Sequence, residues 1–116
     1  MSRAIDHLYE TILAQRGADP GQSRTAKLFR DGLTKMAKKV SEEAVEVALD
    51  AVQGNHDAVV RESADLFYNL CVLWVQCGVH PEEIWSELQR REELMGIAEK
   101  LPKNMQVMIT QDDPAS

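Results

Sequence analysis

Residues 58–75 constrain the fold more than any other stretch. They are apolar on nearly every side, carrying Val59, Val60, Leu66, Phe67, Leu70, Cys71, Val72, Leu73, Trp74 and Val75. A helix that is apolar all round needs neighbours on all sides, so it is expected in the middle of a bundle. Arg61, Glu62, Asp65 and Asn69 interrupt the run and keep it from reading as a membrane span. Glu62, Asp65 and Asn69 stand at i, i+3 and i+7, on one helical face. Carboxylates on a buried helix are costly unless they are paired or bind a cation. The segment therefore demands both a surrounding bundle and a partner for its acids.

The rest of the chain supplies further helices. Residues 4–15 place Ile5, Leu8, Tyr9, Ile12 and Leu13 at helical spacing. Gly17, Pro20 and Gly21 mark a loop. Ser23 can cap a short helical turn through Thr25 and Phe29, which Asp31 and Gly32 end. A second helix is expected over 33–52, and Gln53, Gly54 and Asn55 break it. Asn55 or Asp57 starts the long apolar helix, which runs to about Gln76, with Gly78 as its stop. Pro81 followed by Glu82 and Glu83 opens a fourth helix carrying Ile84, Trp85, Leu88 and Met95. Beyond Pro102 the chain turns polar, and 111–116 are expected to fray. No segment alternates with period two, so the chain reads as an all-α bundle of four to five helices. Residues 1–102 form one domain, and 103–116 an irregular tail.

The second helix carries a matching acid seam. Glu42, Glu43 and Glu46 fall within an arc of roughly 100°. Asp50, Lys35 and Lys39 share that stripe, while Leu33, Val40, Ala44, Val47 and Ala51 form a core stripe opposite. Val45, Leu49 and Val52 make a second apolar patch beside the acids, which implies a second neighbour and a seam lining a cleft. Two antiparallel helices joined by a short turn can bring Glu-Glu-x-x-Glu and Glu-x-x-Asp face to face. Hard oxygen donors without His or Cys suit Mg²⁺, with Mn²⁺ possible. Such a cation completes its shell with water and substrate phosphate, a geometry suited to phosphoanhydride hydrolysis. The plainer account is a solvated face whose acids pair with Lys35, Lys38 and Lys39, and with Arg61 on the next helix. A di-iron bundle would need Glu-x-x-His motifs, and His7, His56 and His80 all lie outside the acid spacings.

Charge and cysteine content narrow the partners. A net charge of −6 disfavours nucleic-acid backbone and anionic membrane. Local basic groups can still bind phosphate. Arg24, Lys27 and Arg30 precede the second helix, where a mobile loop could close over a substrate, and Lys35 and Lys39 flank the acids. Cys71 and Cys77 lie in an apolar segment and form no metal-type pair, which reads as reduced thiols in the cytoplasm. A third helix apolar on all sides cannot be covered by the other helices of so short a chain, so a homodimer is expected.

Lys39-Val-Ser-Glu-Glu-Ala-Val-Glu46, followed by Glu62-Ser-Ala-Asp-Leu-Phe-Tyr-Asn69, resembles phosphoribosyl-ATP pyrophosphohydrolase, the second-step enzyme of histidine biosynthesis. That family lies within the all-α nucleotide pyrophosphohydrolases that include the MazG proteins. The resemblance spans about 5–100, with the Ser23-Arg-Thr-Ala-Lys-Leu segment and the Glu87-Leu-x-x-Arg pattern among its marks. It implies hydrolysis of phosphoribosyl-ATP to phosphoribosyl-AMP and pyrophosphate, an Mg²⁺ cofactor and a helical homodimer. By motif position it implies metal ligation by Glu43, Glu46, Glu62 and Asp65. Glu42 is left to orient or deprotonate water. Ser41 stands where the family often has Gly, and Asn69 where it often has His. Asn69 cannot act as an acid or base there, but it can still hydrogen-bond substrate or water. Two other readings fit the same residues: a house-cleaning pyrophosphohydrolase of free (deoxy)nucleoside triphosphates, and a non-enzymatic helical dimerisation module.

Overall fold

A computed structural model describes residues 3–99, with side chains to residue 96. The expected boundary at 102 and the tail beyond it lie outside the described residues. Five helices follow in order: α1 Arg3–Gln15, α2 Arg24–Asp31, α3 Leu33–Val52, α4 His56–Cys77 and α5 Pro81–Glu99. No strand occurs among the described residues. The chain divides into two compact units, one of residues 2–81 with α1–α4, the other carrying α5.

In the larger unit, local chemistry sets each boundary. Ser23 Oγ accepts from Ala26 N at 3.0 Å and starts α2. Where a short turn was expected, α2 is a full helix of 8 residues. Gly32 alone separates α2 from α3, with φ at 96°, a conformation open chiefly to glycine. Asn55 Oδ1 accepts from Ala58 N at 3.2 Å and starts α4. Gly78 ends it in the left-handed region at φ 70°, and Val79 N reaches back to Trp74 O at 2.8 Å. The three-residue link between α3 and α4 makes them antiparallel neighbours with the most extensive helix contact in the unit.

Tyr9 and Ile12 of α1, Leu28 of α2, Met36 of α3, and Cys71, Val72 and Val75 of α4 form one buried cluster. Burying each of the larger aliphatic side chains contributes about 1.5–3 kcal/mol. Burial pushes the Cys71 thiol up to about 11, so it stays protonated and acts as a small apolar group. Pro81 opens α5, and within the smaller unit Arg90 and Arg91 both bond Glu87. The Arg90 guanidinium holds the Glu87 carboxyl below its usual range.

Two expectations about burial need correction. The stripe assigned to the core of α3 is only partly its packed face: Val40 and Val47 are half-buried, but Leu33, Ala44 and Ala51 are exposed, and only Met36 is fully buried. The packed face is rotated toward the acids, because α4 and α2 cover the side that holds Met36, Val47 and Glu43. Nor are the α4 acids buried as expected, and, as anticipated for so short a chain, one copy does not enclose the helix. Its C-terminal half joins the core, while Asp65, Val60 and Phe67 are exposed and Glu62 is half-buried. The core that α1 and α2 complete lies against that C-terminal half.

Candidate active site

The antiparallel pairing of α3 and α4 brings the two acid motifs together. Glu43, Glu62 and Asp65 each offer a carboxylate oxygen, and the three atoms lie within 4.8 Å of one another. Glu43 Oε2 is buried and has no hydrogen-bond partner among the described residues. The carboxyls raise one another's pKa. Burial pushes Glu43 up, and the charges of Glu46 and Asp65 add to it, outweighing a relieving contact with Glu62. Glu46 is raised by its contact with Glu62 and by that group's charge. For Glu62, the contact with Glu46 lowers the pKa, but contact with Glu43, burial and the charges of Glu43 and Asp65 prevail. Carboxyl–carboxyl contacts become hydrogen bonds only when a proton is shared. Crowding the carboxylates together without a cation therefore disfavours their ionised forms.

The plainer account is met in part: Glu42, Glu46 and Asp65 are exposed, but its ion pairs are absent among the described residues. Among the described residues, no ion pair joins Lys35, Lys38 or Lys39 to an acid, and none joins Arg61 to Glu62 or Asp65. An oxygen-only donor set at this spacing, with an orphaned buried oxygen, fits a hard divalent cation.

A cleft of about 240 Å³ opens beside the cluster. Arg24, Lys27, Leu28 and Asp31 line it from α2, at i, i+3, i+4 and i+7. Lys35, Lys39 and Glu43 line it from α3, and Asp65, Tyr68 and Asn69 from α4. Four cationic side chains thus share a cavity with two of the clustered acids. Such a mixture suits an anion that arrives with a metal ion. Asn69 is buried, and its Nδ2 donates to the Asp65 carbonyl at 2.9 Å. That bond holds the amide against the turn that carries the metal-type acid.

Three residues singled out in the sequence lie outside the three-acid group and the cleft lining: Glu46, which is exposed but in contact with Glu62, Glu42 and Arg30. Glu42 is exposed and belongs neither to the cluster nor to the cleft lining. Arg30 pairs with Asp31 at 3.3 Å and borders a separate shallow concavity with Arg16, Phe29 and Gln76. The segment expected to be a mobile loop is the helix α2, so its basic residues are positioned by helical spacing. Two residues went unassigned. Tyr68 lines the cleft, and its Oη lies 2.6 Å from Thr25 Oγ1. Tyr68 stands three residues after Asp65, so helical spacing alone puts it beside the acid face.

Comparison with known proteins agrees with this geometry. Residues 5–92 match the phosphoribosyl-ATP pyrophosphohydrolase family. The chain is 61% identical over 104 residues to phosphoribosyl-ATP pyrophosphatase 2 of Rhodopseudomonas palustris, covering 90% of this chain and 79% of that protein. The protein of the same name from Bradyrhizobium diazoefficiens is also 61% identical, with 90% and 78% covered. Phosphoribosyl-ATP pyrophosphatase of Azospirillum brasilense is 52% identical over 96 residues, with 83% and 86% covered. With the family match covering both acid motifs and all four helices of the larger unit, the chain belongs to the phosphoribosyl-ATP pyrophosphohydrolase family.

Proposed function

We propose that this protein hydrolyses phosphoribosyl-ATP to phosphoribosyl-AMP and pyrophosphate, the second step of histidine biosynthesis, with Mg²⁺ as cofactor. The observation that carries this reading is the orphaned acid cluster sharing a cleft with four cationic side chains, in a chain of this family. Glu43, Glu62 and Asp65 would hold the cation, with Glu46 completing the set from α3. When bound, the cation screens the polyphosphate and lowers the pKa of attacking water. Mn²⁺ satisfies the same oxygen donors.

The protein's own groups do the rest. Arg24, Lys27, Lys35 and Lys39 bind and orient the polyphosphate. Asn69 offers its amide to substrate or to ordered water. One α3 carboxylate takes the proton as the water oxygen bonds to phosphorus and the phosphoanhydride breaks, releasing pyrophosphate. Glu43 and Glu46, the α3 carboxyls in contact with Glu62, are the ones placed for that task. Glu42, exposed on the same helix, is the remaining candidate for orienting the water.

Exposed apolar side chains support a homodimer. Val45, Leu49 and Val52 on α3 are 57%, 55% and 86% exposed, and Val60 and Phe67 on α4 are 57% and 42% exposed. Exposed apolar side chains on both helices favour cover by a second copy. Cys71 and Cys77 are both free thiols, in keeping with a cytoplasmic protein. Among the described residues no helix is long and apolar enough to cross a membrane.

The direct test is pyrophosphate release from phosphoribosyl-ATP before and after chelation. Activity should vanish with EDTA and return with added Mg²⁺. Full turnover in the presence of chelator would remove the metal from the account.

A further inference from the structure

Helix α2 carries half of the cleft's cationic groups, Arg24 and Lys27, yet it has only 8 residues. A helix this short does not hold itself in water, so its position depends on what it is tied to. Thr25, Ala26 and Leu28 are its buried residues, and they fix depth more than register. Among the described residues, one side-chain hydrogen bond ties α2 to another helix: Thr25 Oγ1 to Tyr68 Oη at 2.6 Å. Thr25 lies directly after Arg24 and two residues before Lys27. Tyr68 lies three residues after Asp65 and directly before Asn69. The bond therefore spans from the middle of the cationic set to the middle of the acid-helix lining. Both side chains are largely out of solvent, Thr25 at 9% exposure, so water competes weakly for the bond.

We propose that the Tyr68–Thr25 hydroxyl pair is a positioning device that sets the register of the α2 cations against the acid cluster, and so tunes affinity for the polyphosphate of the substrate. Tyr68 is a positioning residue, acting through Arg24 and Lys27 rather than on the reacting atoms. The proposal rests on the cleft binding a polyphosphate. It does not depend on which nucleotide carries that group.

The test is calorimetric binding of inorganic pyrophosphate with Mg²⁺ present, in the full-length protein and in Tyr68→Phe, Thr25→Val, Thr25→Ser and the Tyr68→Phe/Thr25→Val double variant. Pyrophosphate is used because it probes the cations whether or not phosphoribosyl-ATP is the substrate. Tyr68→Phe and Thr25→Val should each weaken binding by about 3- to 10-fold, the span of one net hydrogen bond. Thr25→Ser keeps the hydroxyl and should bind as the native protein does. The double variant should bind no more weakly than either single one, because both remove the same bond. In turnover the same variants should raise KM and leave kcat nearly unchanged, since the cations hold ground state and transition state alike. Native affinity in Tyr68→Phe, additive losses in the double variant, or no pyrophosphate binding by the native protein would each overturn the proposal. A purely stabilising bond would lower Tm in Tyr68→Phe with pyrophosphate affinity intact, which also overturns it.

Discussion

Glu46 shows how a residue can work against the fold it belongs to. It sits beside Glu62, Glu43 and Asp50, and its pKa is raised because contact with Glu62 and that group's charge disfavour ionisation. Glu46→Gln removes one negative charge from the cluster, so the metal-free protein should melt about 1–3 °C higher in EDTA. Turnover should fall by more than about 100-fold if Glu46 has the proposed roles of metal donor and candidate base. Melting curves in EDTA and steady-state rates in Mg²⁺ read the two effects separately. The pH dependence follows from the same shifts. Glu43, Glu46 and Glu62 have pKa values raised in the folded state, so the folded chain binds protons more tightly than the unfolded one. Their contribution is most favourable below the ordinary carboxylate pKa of 4.5 and is lost as pH rises through the raised values. The metal-free protein should therefore gain melting temperature as pH falls from 7 toward about 5, and Mg²⁺ should erase most of that gain by stabilising the neutral-pH form. A flat melting profile over that range in EDTA would contradict the assigned repulsion.

Among the elements, those with strong periodicity and clear caps were legible. Ser23, Asn55, Gly78 and Pro81 mark helix ends by chemistry that needs no tertiary context. Gly78→Ala tests one of them. The added Cβ meets nothing within 4 Å, so its cost is conformational alone, from the φ of 70°. It should destabilise by about 1–2 kcal/mol, seen as a lower denaturant midpoint with unchanged slope. The packed face of α3 was harder to read. Leu33, Val40, Ala44, Val47 and Ala51 form a tidy apolar stripe, and Val45, Leu49 and Val52 a second one. A helix with two apolar stripes does not announce which one its own chain will cover. The acids decided it: Glu43 faces α4, so the packed face lies next to the charges and takes in only Val40 and Val47 of the tidier stripe. Helix α2 was half legible. Its cap and cationic residues were visible, but the Thr25–Tyr68 bond joins residues 43 apart in sequence, and no local pattern encodes that pairing.

At the scale of the whole molecule, the all-α class followed from the absence of any two-residue alternation. The pairing of acid motifs followed from the short link between α3 and α4. That one copy would not enclose α4 was legible from the length of the chain, but not which half would stay open. The apolar content of that helix was plain, but its N-terminal half is left open in one chain. The homodimer reading predicts that Val45→Asp, at a position 57% exposed in one chain, shifts sedimentation from twice the chain mass to the monomer. A native protein that sediments as a monomer at micromolar concentration would set the dimer aside. The central claim, however, concerns the cleft, where an orphaned acid cluster and four cations converge in a chain of this family. It is tested most directly by kcat/KM for pyrophosphate release across a panel of phosphoribosyl-ATP, ATP, dCTP and dUTP, each with Mg²⁺. The account predicts phosphoribosyl-ATP as the preferred substrate by about 100-fold or more, with activity lost in Glu46→Gln. Preferential turnover of a free deoxynucleoside triphosphate, or no pyrophosphate from any of the four, would contradict it.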